Sequence, residues 1–194
     1  SDIGLPSTLV RLDGFSECQY ITKIVVPNTV KRIGESAFNK CENLTSVSLP
    51  EGLKTLYGFD KCISLTNIEI PNSVDTLSAF SGCVNLQTIK IPENVTYLGG
   101  FSGCSSLKEI NIPKSVKTIG NNAFDDCVNL TSVNIPENVT EIGGAAFYGC
   151  KNIKSFELPE SLKVIGSVAF YECRPTYLNL PNSLERIDDS AFWG

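Results

Sequence analysis

Residues 127–147 read CVNLTSVNIPENVTEIGGAAF, and the fold follows from how this stretch is built and how often it returns. Val133 and Ile135 alternate with polar Ser132 and Asn134, the period of a strand that buries one face. Pro136 stops that strand, because it has no N–H to give to a ladder and its φ is fixed. Val139 and Ile142 turn inward again on a second short extended segment. Gly143 permits a corner, and Ala146-Phe147 bring the chain back through a tight turn.

The same arrangement runs the length of the chain. Cysteines fall at 18, 41, 62, 83, 104, 127, 150 and 173, with a phenylalanine three residues before each. Phe192 begins a ninth set. A proline follows each of the first seven cysteines by nine residues, from Pro27 to Pro159, and Pro181 follows Cys173 by eight. The pattern is C-x-x-L-x-x-I-x-I-P-x-x-V-x-x-I-G-x-x-A-F-x-x, with the period and L-x-x-I-x-I core of a leucine-rich repeat. One such rung cannot bury enough apolar surface to offset the entropy of ordering its backbone. It needs neighbours above and below, so the strands must stack into a parallel sheet.

With its leading Cys, a Pro closing the strand and a trailing Ala-Phe, the repeat resembles the Treponema-type, or BspA-like, leucine-rich-repeat family over essentially the whole chain. The resemblance implies an α/β-type repeat solenoid, a right-handed superhelix of short parallel β-strands joined by tight turns or 3₁₀ segments. About nine rungs are expected, spanning roughly 40 Å at ~4.8 Å each. The resemblance also implies a secreted or cell-surface bacterial protein, often concerned with adhesion to host proteins or neighbouring cells. The family has relatives in unicellular eukaryotes as well.

Residues 1–194 read as a single solenoid. The chain starts on a strand, Ile3-Gly4-Leu5, stops in mid-repeat at Phe192-Trp193-Gly194, and contains no Met. Neither end carries the polar capping repeat that a solenoid terminus needs. The expectation is a piece of a longer protein, with end-to-end self-association open to the uncapped ends.

Rungs come in two lengths. Those with Phe38, Phe124, Phe147, Phe170 and Phe192 carry a long corner, as in Ile119-Gly120-Asn121-Asn122-Ala123-Phe124, while those with Phe15, Phe59, Phe80 and Phe101 lack two residues there. Three short rungs run consecutively from Pro50 to Cys104, which predicts altered curvature and a place for a groove. At Cys173 the run CRPTYLNLP is one residue short and puts Pro175 at the leucine position, which predicts an irregular last rung.

Composition narrows the function. The chain is 42% hydrophobic and 19% charged, as expected of a folded domain and not of a disordered one. A net charge of −5 and a pI near 4.8 argue against nucleic acid or an anionic membrane surface as partner. No run approaches the roughly 18 apolar residues of a membrane span, which excludes direct membrane insertion, and SDIGLP is no signal peptide. The eight cysteines sit one per rung between inward Phe and Leu positions, so they read as a column of buried small hydrophobes and not as a disulfide framework. Parallel side chains on adjacent rungs also give a poor disulfide dihedral. There are no C-x-x-C pairs and no histidines, which removes the usual zinc sets and the Ser-His and Cys-His nucleophilic arrangements. Asp125-Asp126 and Asp188-Asp189 are paired acids in turn positions, read as solvated turn residues. No catalytic residue, cofactor or metal site is assigned, and the protein is expected not to be an enzyme.

Binding surfaces remain. The outward strand positions form two ladders up the sheet face. One reads Gly4, Val25, Ser48, Glu69, Lys90, Asn111, Asn134, Glu157, Asn179, and the other Asp2, Lys23, Ser46, Asn67, Thr88, Glu109, Ser132, Ser155, Tyr177. Both are small, mixed and polar, with few of the aromatic and Arg anchors of a hot spot. Glu69, Lys90, Asn111, Asn134 and Glu157 are the candidates there. The position after each Phe is polar in the first six rungs but becomes Tyr148, Tyr171 and Trp193 in the last three, a strip of amphipathic aromatics of the kind found at protein or sugar contacts. Four N-x-[ST] strings, beginning at Asn43, Asn94, Asn129 and Asn138, recur because the repeat does. The leading reading is a non-catalytic protein-interaction or adhesion module whose partner is an extracellular-matrix or host-surface protein, or a glycan. The alternative is a passive structural spacer supporting another domain.

Overall fold

The computed structural model describes residues 2–194. Each rung lays down an extended segment before its proline and another after it. In chain order the strands are β1 (Asp2–Ile3), β2 (Arg11–Leu12), β3 (Lys23–Val25), β4 (Arg32–Ile33), β5 (Ser46–Ser48), β6 (Thr55–Leu56), β7 (Thr76–Ser78) and β8 (Tyr97–Gly99). They continue with β9 (Glu109–Asn111), β10 (Thr118–Ile119), β11 (Ser132–Asn134), β12 (Glu141–Ile142), β13 (Ser155–Glu157), β14 (Val164–Ile165), β15 (Tyr177–Asn179) and β16 (Arg186–Ile187). All pairing is parallel and one rung in register, as in Val133 opposite Ile110 and Ile142 opposite Ile119.

The post-proline segments make the longer sheet, β6-β7-β8-β10-β12-β14-β16, with β2-β4 as a separate pair. The pre-proline face is broken into β1-β3-β5, β9-β11 and β13-β15. The break between β5 and β9 coincides with the short rungs, whose pre-proline segments form no strand. Because β6, β7 and β8 stay paired across the short corners, the mismatch in rung size falls on the opposite face.

Two expectations are corrected. No α-helix occurs among the described residues, so the α/β-type label does not apply and the molecule is a parallel β-solenoid. The connections are tight turns, as expected, each closed by an i→i+3 bond such as Cys41 N–H to the Phe38 carbonyl and Leu44 N–H to the Cys41 carbonyl, both 3.0 Å. The physical reason lies two residues after each phenylalanine. Glu17, Lys40, Lys61, Gly82, Gly103, Asp126, Gly149 and Glu172 all have φ between 57° and 74°, or 52° at Asp126, which ends a right-handed turn before it can continue. The nine corner phenylalanines, from Phe15 to Phe192 and leaving out the strand residue Phe156, also bound eight turns, not nine.

That left-handed residue creates a third ladder, at the corner. Its N–H points along the solenoid axis to the next rung's carbonyl one residue after Phe, as in Lys40 to Asp60 (2.7 Å), Asp126 to Tyr148 (2.8 Å) and Gly149 to Tyr171 (2.9 Å). The phenylalanine N–H groups do likewise, Phe101 reaching the Ala123 carbonyl at 2.8 Å. Locked at this spacing, the rings form one continuous column with neighbouring centroids 5.0–6.0 Å apart.

The predicted irregularity at Cys173 is local: the turn that follows each of the other cysteines is absent at 174–175. β15 keeps its register with β13, Phe156 opposite Leu178. Pro175 leaves a hollow of about 420 Å³ lined by Phe156, Phe170, Cys173, Pro175, Leu178 and Phe192, among others. Phe156 partly fills this space, edge-on to Phe170 at 4.7 Å.

All eight cysteines are free, and all but Cys18 are buried. Each buried thiol donates to the Phe carbonyl of the preceding rung, from Cys41 to Phe15 (2.9 Å) through Cys104 to Phe80 (3.2 Å) to Cys173 and Phe147 (2.9 Å). Desolvation pushes the Cys83, Cys127 and Cys173 thiols up to about 12 and raises Cys41, Cys62, Cys104 and Cys150 as well. Since only thiolate reacts, an aromatic disulfide reagent at pH 8 is expected to titrate Cys18 alone in the native protein and all eight thiols in guanidinium. Fast modification of two or more native thiols would contradict the buried column.

Candidate functional site

Tyr148, Tyr171 and Trp193 each follow a column phenylalanine, and the corner ladder sets their spacing. The Tyr148 and Tyr171 rings stack at 4.8 Å and 2°, and Tyr171 and Trp193 at 4.8 Å and 23°. The structure therefore brings all three together as a surface column parallel to the buried phenylalanines. Tyr171 has both ring faces covered, while Trp193 is 62% exposed. Desolvation in the stack, then the Glu172 carboxylate and Tyr171 itself, raise the Tyr148 hydroxyl above its ordinary pKa. Glu172 is held by Lys151 at 2.8 Å, so a lysine and a glutamate border the aromatic column.

In earlier rungs the same position serves the backbone. The Asn39 carboxamide oxygen accepts the Asp60 N–H, and an Asp60 carboxylate oxygen accepts the Ser81 N–H, both at 3.1 Å. Desolvation raises Asp60, against the lowering effect of that hydrogen bond. The Ser102 hydroxyl donates to Asp125 at 3.2 Å. Burial, then its neighbour Asp126, raises Asp125. In the second acid pair, Asp188 is held by Arg186 at 3.0 Å.

The sheet-face candidates are not brought together as one row. Glu69 and Lys90 lie on the strandless rungs and line a groove of about 600 Å³. Asn111 is exposed on β9. Asn134 is committed to structure, its Oδ1 accepting the Ile112 N–H at 3.1 Å and its Nδ2 donating to the Ile112 carbonyl at 3.4 Å. Glu157 is exposed on β13, which is not hydrogen-bonded to β11.

The four N-x-[ST] strings acquire a structural role. Asn43, Asn94, Asn129 and Asn138 each donate Nδ2 to a carbonyl of the preceding rung at 2.6–2.7 Å. Thr45, Thr96, Thr131 and Thr140 do so through Oγ1 at 3.0–3.3 Å. They staple rung to rung where the backbone ladder is short. Sequence reasoning registered their periodicity but not this geometry, and their fixed offset from Cys and Pro was the available signal. The left-handed position two residues after Phe is Gly in three of the eight rungs, at 82, 103 and 149, and Glu, Lys or Asp in the others, so glycine marked it only in part.

A family model for the BspA type leucine rich repeat region matches residues 8–100 and 78–194, in six copies. No curated protein matches significantly. Among solved structures, a leucine-rich repeat protein from Bacteroides ovatus is 26% identical with a TM-score of 0.67, the match covering 92% of this chain and 55% of that one. The leucine rich repeat protein of T. pallidum is 30% identical with a TM-score of 0.68, covering 78% and 77%. A leucine rich cell surface protein from Faecalibacterium prausnitzii is 27% identical with a TM-score of 0.56, covering 76% and 51%. The chain thus spans just over half the length of the first and third of these.

Proposed function

Because the chain belongs to the BspA-type leucine-rich-repeat family, we propose that it is a non-catalytic protein-interaction or adhesion module of a secreted or cell-surface protein. The stacked column Tyr148–Tyr171–Trp193 carries this reading. Tyr and Trp present large amphipathic area at low entropic cost, and they dominate contact hot spots. Bacterial leucine-rich-repeat neighbours, one of them named as a cell surface protein, support the location.

The geometry favours a protein partner over a glycan. Sugars pack on ring faces, and stacking covers both faces of Tyr171 and one face of Trp193. What faces outward is a row of ring edges and hydroxyls beside the Lys151–Glu172 pair, which suits a partner surface with its own apolar and hydrogen-bonding groups.

The test is binding of this protein, and of a Tyr148→Ala/Tyr171→Ala/Trp193→Ala variant, to arrays of extracellular-matrix proteins and glycans. The expected result is saturable binding to a protein ligand that weakens at least ~30-fold in the variant, the scale of a hot-spot aromatic. Binding kept by a folded variant would overturn the aromatic site. No binding by either would overturn the interaction module and leave the passive spacer.

A further inference from the structure

The pre-proline face is open where two rungs lack strands. β5 pairs with β3 on one side only, and β9 with β11 on one side only. Among the described residues no backbone hydrogen bond joins 46–48 to 67–69, or 88–90 to 109–111. The one inter-rung backbone bond in this span runs from Gln87 N–H to the Thr66 carbonyl at 3.1 Å. The charged side chains agree. Glu17 with Lys40, and Lys163 with Glu185, occupy equivalent positions on adjacent rungs and form ion pairs. Glu69 and Lys90 occupy equivalent positions on adjacent rungs and form none.

The groove of about 600 Å³ sits at this opening, running from Thr45–Leu49 across Asn67–Asn72 to Lys90 and Pro92. Its volume falls within the range of ligand sites, roughly 300–1,000 Å³. On the side away from β3, β5 makes no backbone hydrogen bond among the described residues, and such an unpaired strand edge is best met by another extended backbone. Its charged side chains are Glu51, Glu69 and Lys90, none in an ion pair among the described residues, an excess of carboxylate over ammonium.

We propose that this opening is a docking site for an extended, basic peptide segment of a partner protein, added by main-chain hydrogen bonding along the free edge of β5. Alternate side chains of the peptide face Glu51 and Glu69, and the others lie toward the half-buried Val47, Leu49 and Ile70. The site is separate from the aromatic column.

The probe is an acetylated, amidated hexapeptide alternating Lys and Val, titrated into isotope-labelled protein. The expected result is saturable shifts confined to residues 45–51, 67–72 and 88–92, with slowed hydrogen exchange at the Ser46–Ser48 edge. A peptide N-methylated at alternate residues is expected to lose these effects, and Glu replacing Lys to weaken binding about tenfold or more. E69K in the protein should weaken the Lys peptide to a similar degree while leaving the unfolding midpoint unchanged, since Glu69 is exposed and unpaired. The Tyr148/Tyr171/Trp193 alanine variant should bind the peptide as the parent does, which separates this site from the aromatic one. Equal binding of the N-methylated peptide, shifts centred elsewhere, or no shift at several millimolar peptide would each overturn the proposal.

Discussion

Phe101→Ala is expected to lower the unfolding free energy by about 3–5 kcal/mol, the range for removing a fully buried ring. Phe101 has no exposed surface and sits between Phe80, tilted 38° at 5.7 Å, and Phe124, stacked at 5.5 Å. The cavity has little means of closing, because its neighbours are pinned. Phe101 N–H is bonded to the Ala123 carbonyl, Phe80 N–H to the Gly100 carbonyl, and the Cys127 thiol to the Phe101 carbonyl. Each rung of a solenoid is stabilised only by its neighbours, so a defect in the middle also weakens the coupling between the two halves. Urea unfolding followed by circular dichroism should show a lower midpoint with a broadened or two-step transition. The matching change at Phe15, which is only partly buried, should cost less and leave the transition shape intact. A loss below about 1 kcal/mol for Phe101→Ala would contradict the pinned column.

Gly100→Ala adds a single methyl group and is expected to cost about 2–5 kcal/mol, combining a left-handed backbone penalty with overpacking. Gly100 has φ of 75°, and a Cβ there would lie 2.4 Å from the Ala79 nitrogen and the Ser78 carbonyl carbon. Those atoms are backbone, and the Gly100 carbonyl is itself tied to Phe80 N–H at 2.6 Å, so the clash has no flexible side chain to absorb it. Gly4→Ala is the control, since nothing lies within 4 Å of a Cβ there, and should change stability by under about 0.5 kcal/mol. Thermal unfolding of the two variants beside the parent makes the comparison. Similar midpoints for both would refute the close rung approach at the short corner.

The two corner lengths explain why glycine matters here. In four of the five long corners the left-handed residue falls two places before Phe, at Asn122, Ala145, Val168 and Ser190, with φ of 52–57°. In two short corners it falls immediately before Phe, at Gly58 and Gly100, with φ of 90° and 75°. Close backbone approach also occurs in long corners, at Gly143 and Gly166, but there without a positive φ; at Gly58 and Gly100 both constraints fall on one residue.

Much of this architecture was legible in residues 127–147. Period-2 alternation at Val133 and Ile135, a chain-breaking Pro136 and a fixed Phe-Cys interval are local statements, repeated often enough to leave only a stacked parallel solenoid. The inward phase of Phe, Cys and Leu was legible for the same reason, because a side chain's face follows from its position in the repeat. The stacking of Tyr148, Tyr171 and Trp193 was anticipated too, as equivalent positions on consecutive rungs must lie one above another.

The rest depends on how far apart the rungs stand, which no single repeat encodes. Glu69 and Lys90 sit at the same ladder position as Asn111 and Asn134, yet line a groove while Asn134 bonds the neighbouring backbone. The sequence by itself determined which residues face the core and which face solvent, because repeat phase sets side-chain direction. Only the tertiary structure decided where the sheet opens and which carbonyl each thiol, asparagine and threonine finds. Those outcomes depend on spacing accumulated between rungs of unequal length, and they appear only when the rungs are stacked.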